Sequence, residues 1–173
     1  MAQENKPTAG EKRIKFFSVG GTIDKVYFDQ KSEYQVGEPK IGEILAEANV
    51  TVPFESESVL RKDSLDMNDE DRGIVCERIR KDPARFIVVT HGTDTMIETA
   101  KRLEEITGKV IVLTGSMAPA SFKSTDADFN IGCAVSAVQS LSEGVYIVMN
   151  GRIFTPRAVW KNVPMNRFEP IEK

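Results

Sequence analysis

Three stretches of this chain bring together residues that can do chemistry. In "FIVVTHGTDTMIETA" (residues 86–100) the apolar run Phe86, Ile87, Val88, Val89 gives way to Thr90, His91, Gly92, Thr93, Asp94 and Thr95 before a helical pattern begins. "FFSVGGTIDK" (16–25) ends the same way, with Gly20 and Gly21 placed for a tight turn or close backbone approach and then the hydroxyl of Thr22. "LTGSMAP" (113–119) adds Gly115 and Ser116. A threonine hydroxyl is a weak nucleophile near neutral pH and needs a neighbour to take or relay its proton. Each stretch has a plainer reading: Thr93 or Asp94 can cap the next helix, and a Gly-Gly pair is neither GxGxxG nor, without its lysine, a phosphate loop. Three polar strand ends on one edge, however, make a pocket.

The elements that must present these ends alternate along the chain. Residues 13–19, 86–90, 109–115 and 144–150 read as strands. Helical patterns occupy 68–81, with Ile74, Val75 and Ile79 on one face, and 94–107, with Ile97, Ala100 and Leu103, stopped by Gly108; 126–141 is a third and 41–48 a shorter fourth. Strands alternating with helices predict βαβ units with right-handed crossovers, hence an α/β fold: a doubly wound, mostly parallel sheet flanked by helices. In such sheets ligands sit at the carboxyl ends of the strands. The polar segment 30–37 reads as a mobile loop. Neither repeats nor a long linker interrupt the pattern, so residues 1–12 are read as a flexible tail and 13–173 as one domain.

Composition narrows the partners. A chain of 173 residues suits one domain with a real core, and 40% hydrophobic with 28% charged residues is ordinary for a soluble protein. The net charge of -3, with no basic block, argues against nucleic acid and leaves a small polar ligand. No stretch is apolar and long enough for a signal peptide or membrane span, which predicts a cytoplasmic protein, or one exported by a signal already removed. Cys76 and Cys133 lack metal or redox spacing and read as small buried hydrophobes. His91 is the single histidine; sites needing several are excluded, and a structural role is expected for it.

"GGTI" (20–23), "SEYQVG" (32–37), "SLDMND" (64–69) and "THGTDT" (90–95), followed by "LTGSM" and "VWKN", together resemble the amino-terminal domain of bacterial-type L-asparaginases across nearly the whole chain beyond its tail. The resemblance implies an amidohydrolase that converts L-asparagine to L-aspartate and ammonia, with no metal or organic cofactor; weak or no action on glutamine is expected from the departures described below. It makes Thr22 the nucleophile and Tyr34 its activating partner, and Thr93, Asp94 and Lys161 a second constellation. It gives Asp94 to the substrate's α-amino group, Ser64 to its α-carboxylate and the Ser116 carbonyl to the leaving nitrogen, with Gly21 and the Leu65 position also against the substrate. Phenol and ammonium groups titrate near ten in water, so both need help from their surroundings to act as bases. Backbone N–H groups at Thr22 and Thr93, near helix N-termini, suit an oxyanion.

Two departures stand out. The family usually has glutamine where this chain has Leu65, which cannot make that hydrogen bond. The long-chain members also carry a second domain that gives an acidic residue to a neighbouring subunit's site, so this chain resembles a short-chain form. These departures favour an alternative, a non-catalytic amino-acid-binding module of the same fold. An amidotransferase subunit would need nucleic-acid-binding sequence that is not seen here. Family members assemble as dimers and tetramers, so a homo-oligomer is expected; Phe154, Trp160 and Phe168 either anchor its interface or complete the core.

Overall fold

The computed structural model describes residues 12–28 and 33–172; the expected tail at 1–12 and the first part of the expected loop at 30–37 fall almost wholly outside them. A six-stranded sheet is built from β1 (Ile14–Ser18), β4 (Phe54–Ser58), β5 (Phe86–Thr90), β6 (Val110–Thr114), β7 (Gly144–Met149) and β8 (Arg152–Phe154), in the order β4-β1-β5-β6-β7-β8. All neighbours are parallel except β7 and β8, which turn back through Asn150 and Gly151. Both turn residues have positive φ, 54° and 72°, the conformation that makes Asn-Gly a two-residue hairpin turn.

Side chains alternate across the sheet into two cores. Phe17, Val89 and Leu113 pack with α2 (Asp69–Lys81) and α3 (Met96–Leu103), while Phe16, Val88 and Val112 pack with α1 (Ile41–Glu47) and α4 (Ala127–Ser140). The doubly wound, mostly parallel α/β architecture is therefore present. The right-handed crossovers are not uniform. From β5 to β6 and from β6 to β7 the chain steps the same way along the sheet, yet α3 and α4 lie on opposite faces, so these two crossovers have opposite hands. The β1–α1–β4 and β4–α2–β5 connections agree in hand with β5–α3–β6, which leaves β6–α4–β7 as the left-handed exception to a rule with very few of them.

Local chemistry explains the boundaries. Helix α2 starts at a reciprocal cap: Asn68 Oδ1 accepts the Asp71 N–H at 2.9 Å and Asp71 Oδ2 accepts the Asn68 N–H at 3.0 Å. Val75 and Ile79 are buried as expected, whereas Ile74 is exposed, because the buried stripe runs through Arg72, Val75, Cys76 and Ile79. Helix α3 is shorter than the pattern at 94–107: Asp94 and Thr95 stay outside it at the start and residues 104–107 at the end. Edge strand β4 was not expected from the sequence; its Glu55 and Glu57 are matched by Arg13, Lys15 and Arg78.

The expected loop at 30–37 needs correction. Glu33–Val36 forms strand β3, antiparallel to β2 (Lys25–Phe28), as a two-stranded sheet of its own. A second small hairpin, β9 (Val159–Asn162) with β10 (Arg167–Pro170), was also missed. Of the three aromatics considered as interface anchors, Phe154 and Phe168 are buried in the core beside β7, so for them the core reading holds; Trp160 is exposed.

Candidate active site

The ends of β1 and β5 form the topological switch of the sheet, since β4 lies to one side of β1 and β5 to the other. In-register pairing sets Ser18 beside Thr90, and the chains that leave them nearly touch: a Cβ on Gly21 would lie 2.4 Å from Gly92 Cα. Gly21 also has φ 96°, a conformation side chains disfavour. Two glycines thus bring the segments carrying Thr22 and Thr93 together. Gly92 in turn leaves room for Ser64, whose Oγ would be 2.5 Å from a Cβ there.

Thr93, Asp94 and Lys161 are joined directly. The Lys161 ammonium donates to Thr93 Oγ1 at 2.8 Å and to Asp94 Oδ1 at 2.6 Å. Lys161 owes this position to the β9–β10 hairpin: Val159 and Phe168 are buried, Lys161 pairs with Phe168, and the Phe168 N–H donates to Asn150 Oδ1 at 2.8 Å. The plain capping reading of Thr93 and Asp94 is thereby replaced. Thr95 takes the position before α3, and its hydroxyl donates to the Ser64 carbonyl at 2.8 Å.

The remaining expected residues lie around this centre. Thr22 begins a single 3-10 turn, Thr22–Asp24. Ser64 is buried and its Oγ has no hydrogen-bond partner among the described residues, an unmet polar group next to Gly92. Ser116 is buried at the end of β6, its hydroxyl donating to the Ala118 carbonyl at 2.5 Å. Tyr34 is half-exposed on β3, its ring 5.4 Å from that of Tyr27 and 5.8 Å from that of Phe122. Among the described residues no hydrogen bond joins Tyr34 to Thr22. Leu65 is 71% exposed and, with Tyr34, Lys25, Asp63 and Asp66, lines an open cleft of about 750 Å³. Among the described residues no three His, Cys, Asp or Glu side chains gather as metal ligands would.

His91 is structural. It is fully buried, with Nδ1 2.8 Å from the Gly92 carbonyl and Nε2 2.8 Å from Thr99 Oγ1, and burial pushes its pKa down to about 4. Cys76 is buried and Cys133 half-buried.

Sequence reasoning overlooked three acids. Asp63 pairs with Lys25 at 2.6 Å and accepts the Leu65 N–H; burial alone would raise its pKa, but these partners hold it below the usual range. Asp126 accepts the N–H groups of Met117 and Ala118 and an Nδ2 hydrogen of buried Asn130, fixing the segment after β6. Asp24, two residues after Thr22, is buried, and burial pushes its pKa from 3.8 up to about 6. The clue to Asp63 was its position one residue before Ser64, where an Asp so often receives a nearby N–H.

The Asp24 shift has a definite sign. Between pH 3.8 and about 6 the folded chain holds the Asp24 proton more tightly than the unfolded chain, so this group's contribution to stability falls as pH rises through that window and stays low above it. Asp24→Asn keeps an acceptor without the buried charge. It is expected to stabilise the protein by roughly 1–3 kcal/mol at pH 7.5, with the gain vanishing near pH 4. Urea unfolding at the two pH values measures this; an equal effect at both would rule it out.

A family profile described as "Asparaginase, N-terminal" matches residues 13–169. The chain belongs to the asparaginase family. It is 32% identical over 162 residues to L-asparaginase 2 of Escherichia coli (strain K12), covering 86% of this chain and 46% of that protein. It is 37% identical over 125 residues to the glutaminase-asparaginase of Acinetobacter glutaminasificans, covering 67% of this chain and 37% of that protein. Among solved structures, the thermostable L-asparaginase from Thermococcus kodakarensis superposes with a TM-score of 0.80 at 25% identity, over 93% of this chain and 52% of that one. The asparaginase family member described here thus spans about half the length, or less, of these relatives.

Proposed function

We propose that this domain hydrolyses L-asparagine to L-aspartate and ammonia. The observation that carries the reading is the Thr93–Lys161–Asp94 cluster set beside the Gly21–Gly92 contact, which places a second hydroxyl next to the Thr22 segment. Thr22 Oγ attacks the side-chain amide carbon as its proton passes to a neighbouring base, and the C–N bond breaks as the nitrogen gains a proton and leaves as ammonia. Water then cleaves the resulting ester, returning the proton to Thr22. Tyr34 on its hairpin activates Thr22; Lys161 tunes Thr93, whose hydroxyl activates the attacking group. Asp94 and Ser64 hold the amino-acid end, Gly21 lets the substrate approach the backbone, and the Ser116 carbonyl receives the departing nitrogen. Buried Ser64 Oγ, without a hydrogen-bond partner among the described residues, supports its part, because such a donor is costly alone. The reaction needs no cofactor, metal, nucleic acid or membrane, and a cytoplasmic setting fits it; no helix among the described residues is long and apolar enough to cross a membrane. Ammonia release from asparagine and glutamine by the purified protein is the test. No release at any substrate concentration, with asparagine still bound in calorimetry, would establish instead a non-catalytic amino-acid-binding module, the reading that exposed Leu65 favours.

Affinity follows from Leu65. Without an amide there, the substrate's α-ammonium is left mainly with Asp94. A hydrogen bond to a charged group contributes about 1.5–3 kcal/mol, so losing one weakens binding roughly ten-fold to over a hundred-fold. The expected pattern is a high KM for asparagine with kcat less affected, and glutamine worse still. Leu65→Gln should lower KM; a parental KM in the low micromolar range would defeat the argument.

A homo-oligomer, dimer or tetramer, is the expected state, because an open cleft on one sheet edge gains exclusion of water from a partner. With Phe154 and Phe168 committed to the core, exposed Trp160, Val163 and Met165 on and between β9 and β10 remain as apolar anchors. Light scattering at micromolar concentration checks this; a fully active monomer would refute it.

A further inference from the structure

The β2–β3 hairpin carries Tyr34 but belongs to neither core, and a lone two-stranded hairpin is marginal in water. Besides the Lys25–Asp63 pair and the contact of Tyr34 with Phe122, its seat depends on what holds its base. Three bonds converge there on Asp24. Its N–H donates to the Gly21 carbonyl at 3.2 Å, closing the turn that contains Thr22; its carbonyl accepts the Gly37 N–H at 2.8 Å, where the chain leaves β3; and its Oδ1 accepts the Lys40 N–H at 2.8 Å, where α1 begins. One residue thus ties the Thr22 turn to the exit of the hairpin and to the next helix.

The surroundings of this carboxylate are unusual. It is 2% exposed, yet among the described residues no cation hydrogen-bonds to it. The charged groups that face it are Lys40, whose ammonium turns to Glu43 at 2.9 Å, and Arg61 from the segment after β4, whose guanidinium pairs with Glu38. Lys25, next in sequence, is taken by Asp63. A buried carboxylate with backbone donors and no ion pair is costly while ionised, whereas a neutral carboxyl keeps the same acceptor without that cost.

We propose that Asp24 is a positioning residue, a clasp that seats the Tyr34 hairpin against the Thr22 turn and holds it more firmly when protonated than when ionised. The sign follows from linkage: lifting the hairpin returns the carboxylate to water, so ionisation favours the lifted state and protonation the seated one. Burial pushes the Asp24 pKa up to about 6, which puts the change in hold just below neutral pH. The clasp's effect on turnover rests on the roles given above to Thr22 and Tyr34; its effect on the hairpin does not.

Amide hydrogen exchange of the full chain between pH 5 and 8, corrected for intrinsic exchange rates, tests it on the parent, Asp24→Asn and Asp24→Ala. In the parent, protection of residues 25–28 and 33–36 should fall ten-fold or more as pH rises through about 6, while β5 and β6 stay unchanged. Asp24→Asn should hold the low-pH protection throughout. Asp24→Ala, lacking the acceptor, should show low protection at every pH. With asparagine, the parental KM should climb through the same pH window and the Asp24→Asn KM should not. Hairpin protection in the parent that is flat across pH, or identical in parent and Asp24→Asn at pH 8, overturns the proposal. That readout needs no turnover, so absence of amidase activity would remove the proposed function and leave the clasp standing or falling on exchange alone.

Discussion

Thr22→Ala and Thr93→Val should each lower ammonia release from asparagine by about three orders of magnitude or more, while unfolding stays cooperative. Thr22 is the attacking group in the proposed mechanism, so its loss leaves only binding and backbone donors. Thr93→Val keeps the β-branch and approximate shape but removes the oxygen that accepts from Lys161 at 2.8 Å, leaving that ammonium with Asp94 alone. The stability cost of one such hydrogen bond to a charged group is about 1.5–3 kcal/mol, so folding is weakened but not abolished and activity is read on folded protein. Steady-state kinetics beside a urea melt of each variant makes the comparison. Near-parental turnover in either would remove that residue from the mechanism.

The largest structural effect is expected at Gly21. In Gly21→Ala the new methyl lands 2.4 Å from the Cα and N of Gly92, backbone atoms that cannot swing aside, and alanine must also adopt φ 96°. Disfavoured φ and overpacking together cost roughly 2–5 kcal/mol. Gly42→Ala in α1 is the matched control: nothing lies within 4 Å of its Cβ, and helix propensity alone should stabilise it by about 0.5–1 kcal/mol. Denaturant midpoints decide; a Gly21→Ala protein as stable as the parent would mean that the two strand ends stand further apart in solution.

How legible this was in the sequence depended on the range of the forces involved. Strands β1, β5, β6 and β7 are buried on both faces, so Phe16 with Phe17, and Ile87 to Val89, announced themselves as apolar runs. Thr22, Thr93 and Ser116 could be placed because each follows such a run directly. Lys161 could not. It stands 67 residues beyond Asp94, on a hairpin seated by Val159 and Phe168, and only the resemblance pointed to it. Strand β4 was invisible because its glutamates are matched by cations from β1 and α2, a tertiary fact with no local trace. Asp24 drew no notice, because the groups that face it, Lys40 and Arg61, stand 16 and 37 residues further along the chain.

The left-handed β6–α4–β7 crossover has a consequence for assembly. To reach the face opposite α3, residues 115–126 must be laid over the strand ends, where the Ala120 N–H donates to the Ile23 carbonyl at 3.1 Å and Phe122 meets Tyr34 edge to face. These anchor points exist only once β1 and its following turn have formed, and they are distant in sequence, a kind of closure that comes slowly. Helix α4 and β7 are therefore expected to dock late, leaving β6, whose Val110 to Leu113 are buried in the folded chain, as an open edge until they do. The path that roofs the candidate site is thus also the seam at which a chaperone or a low synthesis temperature is expected to raise the yield of folded protein.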